Sequence, residues 1–552
     1  MTTRQVTDRD ASVARYLRER AERTPDALAA AAPRDGDFET WTCRELLAKS
    51  RSIAAGLAEL GLAPNDRVCV FVRPGLLWLA LVHALFQLGA VVVLIDPGMG
   101  RRGMLASIAR VRPRGLIAVA PVHLARWMNA SAFESVEIAL TAGRPSLPGV
   151  PTLEEILERG RGEFAMLERS ARDPAAILFT SGSTGPAKGV LYEHGMFDAQ
   201  VRMLRELYDF APGSVDLACF PLFALFGAAL DMASVFPHID FAQPARCDPA
   251  RIVQAVERFQ TRSSFGSPAI WRRVIPWCEA RGVRLDSLRS LMIAGAPVEA
   301  DLVRRTKAVI GAGGEVFTPY GATEALPVAH VEGALLATTL AERAARGEGT
   351  CVGRAVPGVE LRLIRIGDAP IELWREELLV ARGEPGEICV RGANVTREYA
   401  FDSEATALAK IADGATTWHR MGDVGQIDDD GRLWFLGRKS QRIETERGLL
   451  FPVPWENVAE LHPRVGRAAL VGAGPRGREI PVLIVETTSG RLPRFLKARA
   501  QMAEEIVNSI AELQPLARPE RVLFKTSFPL DVRHQAKIDR GALKAWAEER
   551  VR

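Results

Sequence analysis

The segment WTCRELLAKSRSIAAGLAELGL, Trp41 to Leu62, followed almost at once by DRVCVFV, Asp66 to Val72, sets the fold class. The first reads as a helix; the second is a short run of β-branched and apolar side chains suited to a buried strand. The same alternation continues downstream without an internal repeat, which predicts an α/β protein with largely parallel sheets. At 552 residues the chain is too long for one core, so two to four domains or subdomains are expected. LLWLALVHALFQLGAVVVLIDPG, Leu76 to Gly98, is long enough to be weighed as a membrane span. His83, Gln87 and Gly89 interrupt it, however, and Val91 to Val93 follow, so a helix stopping at Gly89, a buried strand and a turn at DPG are predicted instead.

Between Leu361 and Phe435 the pattern changes to short strands and turns, with DDDG as a hairpin signal between VGQI and RLWFLG. After Arg438 a smaller α/β unit begins. These changes predict a large N-terminal domain of packed α/β sheets over residues 1–438, with a small β-rich subdomain at about 355–438. A smaller C-terminal α+β domain is expected over residues 439–552. With 71 Lys and Arg dispersed against 67 Asp and Glu, nothing points to a nucleic-acid surface. The seven cysteines lack CxxC spacing and the eight histidines lack ligand spacing, which implies reduced thiols of a cytoplasmic protein and no zinc site. The N-terminus is charged and has no secretory core.

The chemistry begins at FTSGSTGPAKGVLYEHG, Phe179 to Gly195, which follows the strand-like run DPAAILF. Gly182, Gly185 and Gly189 permit close backbone approach, Thr180, Ser181, Ser183 and Thr184 offer hydroxyls, and Lys188 offers a positive charge. Phosphate is the natural guest of such a nest, with an ordinary flexible Ser/Gly surface loop as the alternative for these residues taken alone. The nucleotide loop GxxxxGK followed by Ser or Thr does not fit, because Lys188 lies between Ala187 and Gly189.

TPYGATEAL, HRMGDVGQI, WFLGRKSQRI and FPLDVRHQAKIDRGAL then follow in this order. Together with the loop they resemble the ANL superfamily of adenylate-forming enzymes, which includes acyl-CoA synthetases, nonribosomal peptide adenylation domains and beetle luciferases. The resemblance covers nearly the whole chain and implies the ANL fold, with a mobile C-terminal domain, and ATP and Mg2+ as requirements. It also implies roles. Thr180 to Lys188, including Gly185, would cradle the ATP phosphates. Tyr320 and Gly321 would adjoin adenine, as would Gly295, Ala296 and Pro297 of IAGAPV; Thr323 would contact the α-phosphate, and Glu324 would hold magnesium. Asp423, supported by Arg438, would take the ribose hydroxyls. Lys537 would bridge the substrate carboxylate and the α-phosphate, and Ser440 would be the hinge. Phe223, Ala224, Phe265 and Gly266 would line an apolar acyl pocket, with Phe220, Phe226 and Trp271 near it.

Some positions depart from the common pattern. Ala224 stands where acyl-CoA synthetases often carry a polar or aromatic gate, Ser440 replaces the frequent Asp or Lys, Ala536 precedes Lys537 in place of glycine, and His534 is atypical. Adenylation residues are kept while thiol-handling features change. The pattern is most similar to β-lactone synthetases of bacterial long-chain olefin biosynthesis, which implies a 2-alkyl-3-hydroxy fatty acid as substrate and an assembly with other enzymes of that route. A fatty acyl-CoA or acyl-carrier ligase and a non-catalytic nucleotide or lipid sensor remain open alternatives. His194 and His534 are the candidates for a base acting on the 3-hydroxyl.

Overall fold

The computed structural model describes residues 11–159, 164–180, 187–492, 495–513, 519–529 and 538–551. Four sheets form among the described residues, three of which carry the fold, the fourth being the small pair Ile443–Thr445 and Gly448–Leu450. A six-stranded sheet runs in the order Ile138–Thr141, Gly115–Ala118, Arg67–Phe71, Val91–Ile95, Pro174–Thr180, Lys188–Glu193, and only its last pair is antiparallel. The phosphate-loop sequence is therefore the connection of an antiparallel pair, with Thr180 opposite Lys188.

The long sheet changes character along its length. Leu28–Arg34, Ala233–Val235, Val215–Leu217, Ser263–Gly266, Ser290–Ile293 and Glu315–Ala322 are parallel neighbours in that order. From Ala325–Glu332 onward, through Thr350–Ala355, Leu433–Arg438, Thr416–Ile427, Gly386–Gly392 and Val359–Ile364, every pairing is antiparallel. The β-rich region is thus continuous with the large sheet and begins with the strand at Thr350. A third sheet of Val465–Ala473, Ile480–Thr487 and Arg521–Lys525 accompanies the helices Pro452–Ala459, Leu496–Leu513 and Arg540–Val551.

Local signals explain the elements. Thr42 caps the helix Cys43–Glu59 by a reciprocal capping box: its hydroxyl accepts from Glu45 N at 3.2 Å, and the Glu45 carboxylate accepts from Thr42 N at 2.7 Å. The apolar stretch at Leu76 is a buried 13-residue helix, Leu76–Leu88, packed in one core with Leu46, Ile53 and Leu57. It stops at Gly89, whose φ of 72° is left-handed, and the strand Val91–Ile95 follows. Among the described residues no helix is long and apolar enough to cross a membrane. All seven cysteines are buried and free, and burial pushes the thiols of Cys69, Cys219 and Cys389 up.

Asp216, on the strand Val215–Leu217, is wholly buried; Ser263 Oγ donates to its Oδ1 at 2.8 Å, while Oδ2 has no partner. Desolvation pushes this carboxyl up to about 7. Its folded value lies above the unfolded one, so the folded chain holds the proton between roughly pH 4 and 7 and stability falls as pH rises through that window. Asp216→Asn removes the charge, so its unfolding free energy should exceed wild type by on the order of 1 kcal/mol or more at pH 8, the gain vanishing near pH 4. Denaturant titrations at both pH values measure this, and an equal gain at both would assign the effect to packing.

Candidate nucleotide site

The strands Glu315–Ala322 and Ala325–Glu332 leave Thr323 and Glu324 as the two-residue tip of a hairpin, with Ala322 opposite Ala325. A register shift between Tyr320 and Ala322 brings the backbone at Gly321 close to the return strand: a Cβ there would lie 2.6 Å from Ala325 O. TPYGATEAL is therefore a tight turn within the long sheet.

The tip is held from two directions. Tyr192, just before the helix His194–Leu207, donates its hydroxyl to Thr323 O at 2.5 Å, and Gln200 of that helix donates to Leu326 O at 2.8 Å. On the other side the segment 394–400 crosses the site like a strap. Asn394 donates to Pro327 O at 2.8 Å, and Val395 bridges Ala325. Thr396 donates to the Glu324 carbonyl from its N–H at 2.9 Å and from its hydroxyl at 3.0 Å. Tyr399 donates its hydroxyl to Glu324 Oε1 at 2.6 Å and forms a backbone bridge to Val190; Ala400 N donates to Gly189 O at 2.7 Å. The strap thus ties the hairpin to the end of the phosphate loop.

Charge gathers at the same place. Lys188 Nζ lies 5.0 Å from the centre of the Tyr399 ring and Lys410 Nζ 5.9 Å from it. Burial pulls the Lys410 ammonium down to about 7 against the opposing pull of Glu324. His419, paired with Lys410 across the strands, is held well below the ordinary histidine range by burial and then by Lys410. Burial, followed by the charge of Glu324, pushes the Tyr399 hydroxyl up.

Asp423 and Arg438 face each other across neighbouring strands, 2.9 Å apart from Oδ1 to Nη1. Tyr320 donates its hydroxyl to Asp423 Oδ2 at 2.6 Å. The carboxylate is 4 % exposed and is oriented by both groups, while Asp423 above all holds the Arg438 guanidinium up. The segment after the strand Ser290–Ile293 is open: Gly295 and Pro297 are exposed, Ala296 is half-buried, and Gly295 has a φ of +93° with nothing near its absent Cβ.

The expected acyl-pocket residues meet in an aromatic cluster. Phe265 packs edge-on against Phe220 at 5.3 Å and Phe223 at 5.4 Å. Phe223 and Ala224 are buried, Phe265 is half-buried and Phe220 is 40 % exposed. Gly266 is needed by its neighbours, since a Cβ would lie 3.0 Å from that of Cys219. Trp271 is wholly buried in the adjoining core. His194 is a correction: its ring is wholly buried against Phe86, Nδ1 accepts from Val13 N at 3.4 Å, and burial holds it down to about 3. It is a core histidine and not a base.

Ser181, Gly182, Ser183, Thr184, Gly185, His534, Ala536 and Lys537 lie outside the described residues, as does the side chain of Thr180. On either side of 530–537 the chain is anchored: Asp539 N donates to Pro529 O at 2.9 Å, and Arg540 pairs with Glu456 at 2.6 Å. At the expected hinge, Lys439 Nζ reaches Glu387 Oε1 at 2.8 Å and Gly367 O at 2.9 Å, and beyond Ser440 the Arg442 guanidinium reaches Asp368 at 2.6 Å.

Residues 17–400 match the AMP-binding enzyme family. The chain belongs to that family. It is 41% identical to the olefin beta-lactone synthetase of Stenotrophomonas maltophilia, covering 98% of each chain. It is also 41% identical to the protein of the same name from Xanthomonas campestris pv. campestris, covering 98% of this chain and 97% of that one. Among solved structures, ATP-bound MatB from Rhodopseudomonas palustris is similar with a TM-score of 0.79 at 20% identity, over 98% of this chain and 100% of that one. The amide bond synthetase McbA from Marinactinospora thermotolerans is similar with a TM-score of 0.76 at 24% identity, over 97% and 99%. These two likenesses establish the shared fold of this AMP-binding enzyme.

Sequence reasoning missed Tyr192, Thr396, Tyr399 and Lys410. One signal was available: tyrosine is scarce here, five against 22 phenylalanines, and a buried tyrosine hydroxyl usually has a partner. Tyr192, Tyr320 and Tyr399 all spend theirs on this site. Asp423→Ala leaves the Tyr320 hydroxyl without this acceptor, so unfolding stability should fall by about 1–3 kcal/mol, read from denaturant midpoints. A melt unchanged from wild type would show that the carboxylate does not organise the cluster.

Proposed function

We propose that this enzyme activates a long-chain 2-alkyl-3-hydroxy fatty acid as its acyl-AMP and then closes it to a β-lactone. The observation that carries this reading is the 41% identity, over 98% of the chain, to two olefin beta-lactone synthetases. The geometry around the hairpin supports it.

In the first step a carboxylate oxygen of the acid attacks the α-phosphorus of ATP and the bond to pyrophosphate breaks. Lys188, at the end of the phosphate loop, and Thr323, at the hairpin tip, face the phosphates; Asp423, set by Tyr320 and Arg438, takes the ribose hydroxyls. Lys537 neutralises the charge developing between carboxylate and α-phosphate. A single carboxylate with one oxygen held by Tyr399 suits magnesium, which takes one or two carboxylates and otherwise phosphate oxygens and water. Glu324 would hold the ion, which when bound offsets phosphate charge.

In the second step the 3-hydroxyl oxygen of the substrate attacks the acyl carbon, the bond to AMP breaks with its electrons leaving on AMP, and one proton is released. A tethered nucleophile gains about 7–11 kcal/mol in favourable cases from proximity. No thiol is required, and the small apolar side chain of Ala224, where acyl-CoA synthetases often carry a polar or aromatic gate, supports this reading. We place the domain boundary at Lys439, with Ser440 as the hinge of a C-terminal unit over residues 439–552.

Product analysis tests the reading. With ATP, magnesium and a 2-alkyl-3-hydroxy acid, but no coenzyme A, the enzyme should give lactone, AMP and pyrophosphate. The matched acid lacking the 3-hydroxyl should be adenylated and stall near one equivalent. If coenzyme A turns the deoxy acid over to a thioester while the hydroxy acid yields no lactone, the enzyme is an acyl-CoA ligase.

A further inference from the structure

Lys410 has no place in the motifs that define the site, yet the fold buries it to 8 % exposure directly behind the strap. Burying an ammonium is costly unless its donors are used. Here two of the three are used on one residue: Nζ donates to Thr396 O at 2.5 Å and to Thr396 Oγ1 at 3.1 Å. Because the lone pair of that hydroxyl receives Lys410, its single hydrogen is directed onward, and it points to the Glu324 carbonyl at 3.0 Å. The result is a directed relay from Lys410 through Thr396 to Glu324. Three residues further along the same strap, Tyr399 holds the Glu324 carboxylate. Lys410 is also placed by its own backbone, as the first residue of the strand Lys410–Asp413 and opposite His419.

We infer that Lys410 is a positioning residue: through Thr396 it fixes the backbone of Glu324, and through the strap the direction of the carboxylate presented to magnesium and the ATP phosphates. This rests on the role of Glu324 proposed above. Groups one shell behind a metal-binding side chain commonly change metal affinity by tenfold or more. Lys410 therefore acts on the magnesium-dependent part of nucleotide binding and not on nucleotide binding in general.

Calorimetric titration of the whole protein with ATP, once in excess magnesium and once in EDTA, separates the two parts without relying on turnover. Wild type should bind ATP more tightly in magnesium than in EDTA. Lys410→Met should reduce that gain about tenfold while its affinity in EDTA stays near that of wild type. Thr396→Val breaks the relay and leaves Lys410 in place; it should shift binding in the same direction, and it carries the test alone if Lys410→Met does not fold. A magnesium gain equal to wild type in the variants overturns the inference, as does an equal loss of affinity in EDTA, which would mark a general structural role. If wild type itself shows no magnesium gain, the role of Glu324 falls first and the inference falls with it.

Discussion

Glu324 is gripped twice by one short stretch of chain, its carbonyl by Thr396 and its carboxylate by Tyr399. A two-residue turn has almost no conformational slack, so whatever holds the tip sets the side chains at Thr323 and Glu324. The same stretch continues to Gly189, at the foot of the phosphate loop. One strap therefore fixes the distance between a motif on the six-stranded sheet and a motif on the long sheet. Tyr192 and Gln200 add two further hydrogen bonds to the carbonyls of Thr323 and Leu326, so the tip is held at several points.

The chemistry asked of this frame is modest once the acid is activated. An internal hydroxyl needs no second binding site, no thiol tunnel and no docking of another protein for the ring to close.

Local chemistry was legible in the sequence. The strand entering the loop after Phe179, the helix stop at Gly89 and the DDDG hairpin each declare themselves within a few residues of chain, whereas Tyr320, Asp423 and Arg438 stand out only through the joint order of their motifs. What was hidden is pairing over long separations. Nothing in REYA or ALAKI announces that Tyr399 returns to Glu324 or that Lys410 turns inward, because a lysine closing a short helix ordinarily faces water. The β-rich region was read as a unit beginning near 355, whereas Thr350–Ala355 already pairs with both Ala325–Glu332 and Leu433–Arg438. Register across such distances is decided by the whole sheet and has no signature in any one strand. His194 as a candidate base fails for a related reason: the ring that packs on it, Phe86, comes from a helix far away in sequence.

Beyond Arg438 several contacts return to the preceding sheet, among them Arg476 to Asp368 and Asn457 to Gly349 O at 3.0 Å, and the two nearest Ser440 are of unequal strength. Lys439 is pinned on Glu387, a carboxylate with no exposure that Arg420 also holds at 2.6 Å, whereas Arg442 is pinned on Asp368, whose side chain is 50 % exposed. Breaking a buried pair by removing one partner costs about 3–5 kcal/mol, while an exposed pair is worth about 0–1 kcal/mol. The short span Ser440 to Gln441 thus lies between a contact that water barely reaches and one that salt in the surrounding water screens.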